Sequence, residues 1–314
     1  MMMSRIVAAV MICVGASAWL ASGRVHARAD GAGVSVTEVT RNVLVFGTGA
    51  GNVVASVGPD GALLVGTPAA ADTAAIEKIL EGRTKSAARY VLVGPEDPAS
   101  SEGDAGWGKR GAFVAMQELA QQLIGGDVMG APEPLPDRFV KLGVDRPRVA
   151  FSDVLAFDLN GEAIHVVHQP AGQVNANCLV HFHVANLIYF GDAFPGDGYP
   201  RIELDRGGRI DGLIQILGGW TDKSLKIVPA RGKVVTGTEM KEFVEMLTAV
   251  TGKVRGMVKA GKTTSEIVAA KPAAEFDAKW GHGRVASDEF VREVAESVVR
   301  EGREKKPEMK MEMK

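Results

Sequence analysis

Apolar positions in the first half of the chain fall into short β-branched runs separated by glycine-rich turns. Val34 to Val39 alternates apolar and polar residues, whereas Val43 to Phe46, Val53 to Val57 and Ala62 to Val65 are almost wholly apolar. These short runs read as strands. Gly58-Pro59-Asp60-Gly61 joins two of these runs. Its proline presets φ and its last glycine accepts a left-handed conformation, so a tight turn is expected. Thr67-Pro68 reads as an N-cap with proline at the first helical position. The helix it opens carries Ala75, Ile76, Ile79 and Leu80 on one face. Tyr90 to Val93 and Ala112 to Ala115 read as further strands, the second leading into a helix with Leu119 and Leu123.

The second half repeats the mixture. Ile164 to Val167, Cys178 to Phe182, Leu187 to Phe190 and Leu225 to Val228 read as strands. Thr236-Gly237-Thr238-Glu239 has capping-box spacing. Met240, Phe243, Val244, Leu247, Val250 and Val254 then form a helical stripe, and Phe290, Val291, Val294 and Val298 form another. Strands and helices recur in two similar halves without a linker, repeat or low-complexity block between them. The expected class is α/β (α+β), with sheets covered by helices in one compact unit.

Composition changes this picture only at the ends. Over 314 residues, 46% hydrophobic and 24% charged residues are ordinary globular values. A formal charge of −2 offers no basic surface to nucleic acid, so no nucleic-acid partner is expected. Arg5 precedes an apolar run from Ile6 to Leu20, and Ala27-Arg28-Ala29 supplies a small-x-small cleavage site before Asp30. Residues 1–29 are therefore expected to be a signal peptide, which makes the protein periplasmic or secreted. An uncleaved anchor is the alternative, although the run is too short and too rich in small residues for a comfortable span, and no stable membrane span is expected after cleavage. Loss of this segment would remove Arg5, Arg24 and Arg28 and no acid, taking the charge to −5. Cys13 would go with it, leaving Cys178, so neither a disulfide framework nor a zinc-finger spacing is available.

Several ordered segments resemble the metallo-β-lactamase-like hydrolase superfamily. Gly51-Asn52-Val53-Val54-Ala55 with Gly58-Pro59-Asp60-Gly61-Ala62-Leu63-Leu64-Val65 is similar to its opening hairpin, and Tyr90-Val91-Leu92-Val93 to the strand feeding its metal loop. Asn186-Leu187-Ile188-Tyr189-Phe190-Gly191-Asp192 resembles the strand ending in its bridging aspartate. Gly198-Tyr199-Pro200, the stretch Leu204 to Gly212, Ala269-Ala270-Lys271-Pro272 and Phe276 to Gly281 resemble an exported bacterial branch. The resemblance covers roughly residues 34–298. Residues 301–314, charged and without an apolar period, are expected to be a disordered tail, and the resemblance implies a four-layer αββα sandwich, a domain over 30–260 and a C-terminal helical extension over 261–300. It also implies one or two zinc ions at one sheet edge, activating water to hydrolyse esters, lactams or thioesters.

The ligands that this chemistry needs are missing. Where the superfamily has His-x-His-x-Asp-His, this chain has Gly94-Pro95-Glu96-Asp97-Pro98-Ala99-Ser100, so the ligand positions read Pro95, Asp97, Ala99 and Ser100. Proline and alanine have no side-chain lone pair, and serine is a poor zinc ligand. The next histidine position is Gln173, the last is Arg231 in Pro229-Ala230-Arg231-Gly232, and the aspartate after Leu-Leu-Val is Gly66. Asp192 alone survives. Zinc is expected to be absent, and Arg231 is expected to reach Asp192 or Asp97 and stand in for it.

The remaining residue groups have plainer readings. His165 and His168, three apart on a strand, point to opposite faces, and His181 and His183 share a face but are fewer than the three protein ligands of a catalytic zinc. These and His282 are expected to be packing, surface or loop residues. Glu96, Asp97, Glu102 and Asp104 suit a solvated loop, with a Ca²⁺ or Mg²⁺ site as the alternative. Cys178 is expected to be a buried hydrophobe, and Ser100-Ser101 has no nearby histidine to make a serine hydrolase. Three functions follow: an exported pseudoenzyme that uses or has abandoned the old cleft, a hydrolase with an altered or different metal site, and a protein that binds through other surfaces. The expected partner is an unknown small molecule or protein.

Overall fold

The computed structural model describes residues 24–26, 33–66, 68, 70–85, 87–94, 106–125 and 147–304. The first sheet holds β1 (Arg24–His26), β2 (Ser35–Thr40), β3 (Val43–Gly47), β4 (Asn52–Gly58), β5 (Gly61–Val65), β6 (Ala88–Val93), β7 (Phe113–Gln117) and β8 (Val149–Phe151), in that spatial order. Pairing is antiparallel from β1 to β5 and parallel from β5 to β8. The second sheet has six strands: β9 (Val154–Leu159), β10 (Glu162–His168), β11 (Cys178–Phe182), β12 (Leu187–Tyr189), β13 (Lys226–Val228) and β14 (Val235–Thr236). Its one parallel pair is β12 with β13. β1 falls inside the segment that the sequence marks as a leader; a chain cut before Asp30 would begin its sheet at β2.

Seven helices lie among the described residues: α1 (Ala70–Thr84), α2 (Glu118–Gly125), α3 (Ile210–Gly218), α4 (Gly237–Lys259), α5 (Thr264–Ala269), α6 (Asp277–Trp280) and α7 (Ser287–Glu304). α1 makes the crossover that lets β5 and β6 run parallel. Thr67 lies outside the described residues, so its expected cap is not part of this description. The Thr236 and Glu239 capping box at the head of α4 is formed, and a second one, Thr263 with Glu266, opens α5.

Side-chain alternation divides the interior into three apolar layers. On β3, Val43 and Val45 point between the sheets while Leu44 and Phe46 point to the α1 layer with Ile76 and Leu80. Val180 and Phe182 of β11 meet them from the second sheet, and Leu179 turns outward to Phe243, Leu247, Phe290 and Val294 of α4 and α7. Strands buried on both faces need unbroken apolar runs, which is why the first-half strands showed so little alternation. The result is the αββα sandwich. α7 also corrects one boundary: it continues through Glu304, past the expected start of a tail at 301. Glu301 is buried against Ser297, with Arg255 4.0 Å away, and Glu304 pairs with Arg209, so the last turn has partners to hold it. Residues 305–314 lie outside the described residues.

Two buried asparagines fasten the sheets together at opposite ends of β4. At one end, Asn160 sits in a left-handed conformation (φ 58°) in the β9–β10 turn with Gly161 (φ 74°), the pairing that a two-residue hairpin favours. Its Nδ2 donates to Ser56 Oγ and to the Gly61 carbonyl, both at 3.0 Å, and its Oδ1 accepts from Asp60 N at 3.0 Å. At the other end, Asn52 Nδ2 donates to the Pro229 and Gly232 carbonyls, both at 2.9 Å, and Asn52 N donates to Ala230 O at 2.7 Å. Replacing Asn160 by glycine keeps the φ but strands three polar partners, so unfolding free energy should fall by about 2–3 kcal/mol. Alanine should cost roughly 1 kcal/mol more, because it adds left-handed strain. Urea unfolding of both variants at unchanged slope measures the two components; equal losses would remove the conformational one.

Candidate functional site

Four loops close over one edge of the sandwich. Gly66 follows β5, Gly94 follows β6, Asn177 precedes β11 and Gly191 follows β12, and these residues line a single cavity with Tyr189 and Cys178. Its volume is only about 30 Å³. That is about one water's share of the liquid, against roughly 300–1,000 Å³ for a small-molecule site. Pro95, Asp97, Ala99 and Ser100 lie outside the described residues, as do Glu96, Glu102 and Asp104 of the acidic loop.

Gly66, the position that the resemblance pairs with an aspartate, is held as glycine by its backbone. It has φ +82°, and a Cβ there would stand 3.1 Å from the Tyr189 hydroxyl and 3.2 Å from the Asn52 carbonyl. An aspartate would meet both the conformational penalty and the crowding. Gln173 is buried and its Nε2 donates to Glu203 Oε1 at 2.7 Å, which commits it to the neighbouring loop. Burial pushes the Cys178 thiol up to about 12, which favours its protonated form at neutral pH. His168 Nε2 lies 2.6 Å from the Asn175 carbonyl, and His282 Nε2 lies 3.0 Å from the Ala278 carbonyl.

Arg231 occupies the centre of the remaining charges. Its Nη1 donates to Asp192 Oδ1 and its Nε to Asp197 Oδ2, each at 3.2 Å. The arginine side chain is 18% exposed and the two carboxylates 38% and 39%, so the cation is the sheltered member. Its position is fixed from several sides. Arg231 N donates to Pro195 O at 3.1 Å and Ala230 N to Phe194 O at 2.9 Å, while Asn52 grips the same turn from β4. A Cβ on Gly196 would come within 2.5 Å of the Arg231 carbonyl and 2.4 Å of Pro229, so only glycine lets the two turns touch.

Zinc requires three or four nitrogen, sulfur or oxygen donors around one point. Among the described residues, Gly66 offers none, Gln173 is committed elsewhere, Arg231 is a cation and Asp192 is engaged by it. These residues do not fit a zinc ion. No group of three or more His, Cys, Asp or Glu side chains among the described residues is arranged to hold a metal. No helix among them is long and apolar enough to cross a membrane.

A second concavity lies away from this edge, between residues 201–206 and α7, with a volume of about 720 Å³. Glu293 lines it, accepting from Ile202 N at 2.7 Å and from Arg201 Nη1 at 3.5 Å. Burial pushes the Glu293 carboxyl up from 4.5 to about 7, against the pull of the Ile202 amide and Arg201.

This fold and loop arrangement define a protein with the metallo-β-lactamase fold. Solved structures with the same architecture include a metallo-β-lactamase family protein from Thermus thermophilus (14% identity, 87% of this chain and 93% of that chain, TM-score 0.56). A metallo-β-lactamase from Erythrobacter litoralis matches at 14% identity over 72% of this chain and 99% of its own, with TM-score 0.53. One from Pontibacter korlensis matches at 13% identity over 72% and 99%, with TM-score 0.51. No protein-family model and no curated protein sequence matches the chain.

Two measurements test the electrostatics. Arg231→Ala should lower unfolding free energy by about 1–2 kcal/mol, and a double-mutant cycle with Asp192→Ala should return a coupling of about 0.5–1 kcal/mol that shrinks in high salt. A zero coupling would show that the pair is energetically idle. For Glu293, the raised folded pKa means that its contribution is complete below about 4.5 and is lost as the pH rises through about 7. Glu293→Gln keeps an acceptor for Ile202 without the charge. It should therefore be more stable than the parent at pH 8, by roughly 2 kcal/mol, and equal to it near pH 4. Parallel denaturation curves at the two pH values would decide.

Proposed function

We propose that this chain is an exported, non-catalytic member of the metallo-β-lactamase superfamily that acts by binding a small molecule or protein partner. The observation that carries the reading is the Arg231 guanidinium bridging Asp192 and Asp197. In a zinc enzyme of this fold, the metal compensates the charge of the bridging aspartate. Here a permanent cation does so, and it needs no metal. It also opposes one: a dication brought to about 4 Å of it meets roughly 8 kcal/mol of repulsion at an effective dielectric of 20. The leader-like composition of residues 1–29 supports export.

One native mass spectrum of the protein purified without chelator tests both parts. The expected species begins at Asp30 and carries well under one zinc per chain, and the sample shows no chelator-sensitive hydrolysis of a lactam or ester. Stoichiometric zinc, removed by chelator together with an activity, would overturn the reading. Arg231→His should not restore zinc, because Pro95, Ala99 and Gly66 still supply no donor.

A further inference from the structure

The β10–β11 register places His165 directly opposite His181, and His183 stands two residues further along the same chain. Residues at i and i+2 of a strand share a face, and so do directly opposed cross-strand residues, so three imidazoles gather on the outer face of the second sheet. The helices that cover β11 to β13 leave this corner open: Val154, Ala156 and Asp158 of β9 are exposed there, as are His165 and His183. His183 Nε2 lies 3.0 Å from His165 Nδ1. His181 stacks beneath His183 with ring centroids 3.9 Å apart, and its other side meets Trp220 at 5.4 Å.

The backbone under the pair is firmly held. His183 N donates to Ala163 O at 3.0 Å, and the buried Glu162 carboxylate accepts from Val184 N at 2.5 Å and from Ala185 N at 3.0 Å. Two strands of one sheet thus present two exposed imidazoles from a firmly held backbone. From this geometry we propose that His165 and His183 form a surface chelate for a tetragonal divalent metal, Cu²⁺ first and Ni²⁺ after it, with water completing the coordination.

The donor type selects the metal. Imidazole nitrogens suit Cu²⁺ and Ni²⁺, and Cu²⁺ leads the affinity order for divalent first-row metals. The 3.0 Å contact is a hydrogen bond between the two rings, and rotation of the exposed rings turns both donors to a shared ion. This site is on the outer sheet face, separate from the Arg231 edge, and it stands or falls independently of the zinc reading.

Trp220 provides the readout, because a bound Cu²⁺ at this corner quenches nearby indole emission. Titration of the full chain with Cu²⁺ alone should show saturable quenching at one equivalent and an electron paramagnetic resonance spectrum with two-nitrogen hyperfine structure. His165→Gln and His183→Gln should each weaken binding by about tenfold or more, while His282→Gln leaves it unchanged. Trp220→Phe should abolish most of the quenching and keep the spectrum. Zn²⁺ should bind more weakly than Cu²⁺. Copper affinity equal in the parent and in both folded histidine variants would overturn the proposal, as would a spectrum without imidazole nitrogen.

Discussion

Two apolar sheet faces attract each other without regard to register, so a sandwich needs directional contacts to fix how the sheets lie. Asn52 and Asn160 supply them at the two ends of β4. Each is buried, and each has its amide spent on backbone or side-chain partners from distant parts of the chain. A buried amide that misses its partners costs as much as several good contacts return, so only one relative placement of the sheets satisfies both clamps. Everything at the loop edge depends on the Asn52 clamp. It sets the height of the 229–232 turn, the turn presents Arg231, and Arg231 meets Asp192 and Asp197 from the other side of the edge.

The edge therefore keeps its shape through contacts of the chain itself. In this chain the turn bearing Arg231 is anchored by main-chain bonds to Phe194 and Pro195 and by the Asn52 amide, none of which involves a metal donor. The volume is filled by the chain itself: Tyr189 crowds the space beside Gly66, and Gln173 and Glu203 hold each other. Charge is balanced by a guanidinium that stays protonated at any relevant pH. Shape, volume and charge are each closed by a different residue.

Much of this was legible in the residues, and the exceptions have physical causes. Runs such as Val43–Phe46 and Ala62–Val65 announced strands, and the Thr236–Glu239 box announced α4. β9 was not anticipated, although Asn160-Gly161 is a strong hairpin signal, because half of its positions face solvent and its apolar residues are interrupted by Ala156 and Asp158. α3 is short and contains Gly212, whose Cβ would collide with the Ala171 carbonyl, so its helix is held by tertiary packing more than by propensity. The contact of Arg231 with Asp192 could be argued from the family resemblance and charge: a sheltered carboxylate needs a cation or donors beside it. The partner Asp197 could not, because nothing in the sequence showed that the turn around Gly196 folds back onto Pro229. The histidine corner was missed for a different reason. Spacing along one strand pairs His181 with His183, but the third imidazole arrives from the neighbouring strand, and register is a property of the sheet.

The same logic separates the two ends of the second sheet. At the loop edge, charges are sheltered and mutually satisfied, and Arg231 is fixed by its neighbours on all sides. At the histidine corner, the backbone is just as firmly held, yet the imidazoles of His165 and His183 remain exposed, bonded to each other with His181 beneath His183. A lone pair already committed to a buried partner must be released before it can bind anything else, whereas one shared between two exposed rings is released at little cost. Capacity to take up a new ligand therefore follows the exposure of the donors over a rigid backbone, and in this molecule that combination lies at the corner, not at the edge where the fold would ordinarily place its metal.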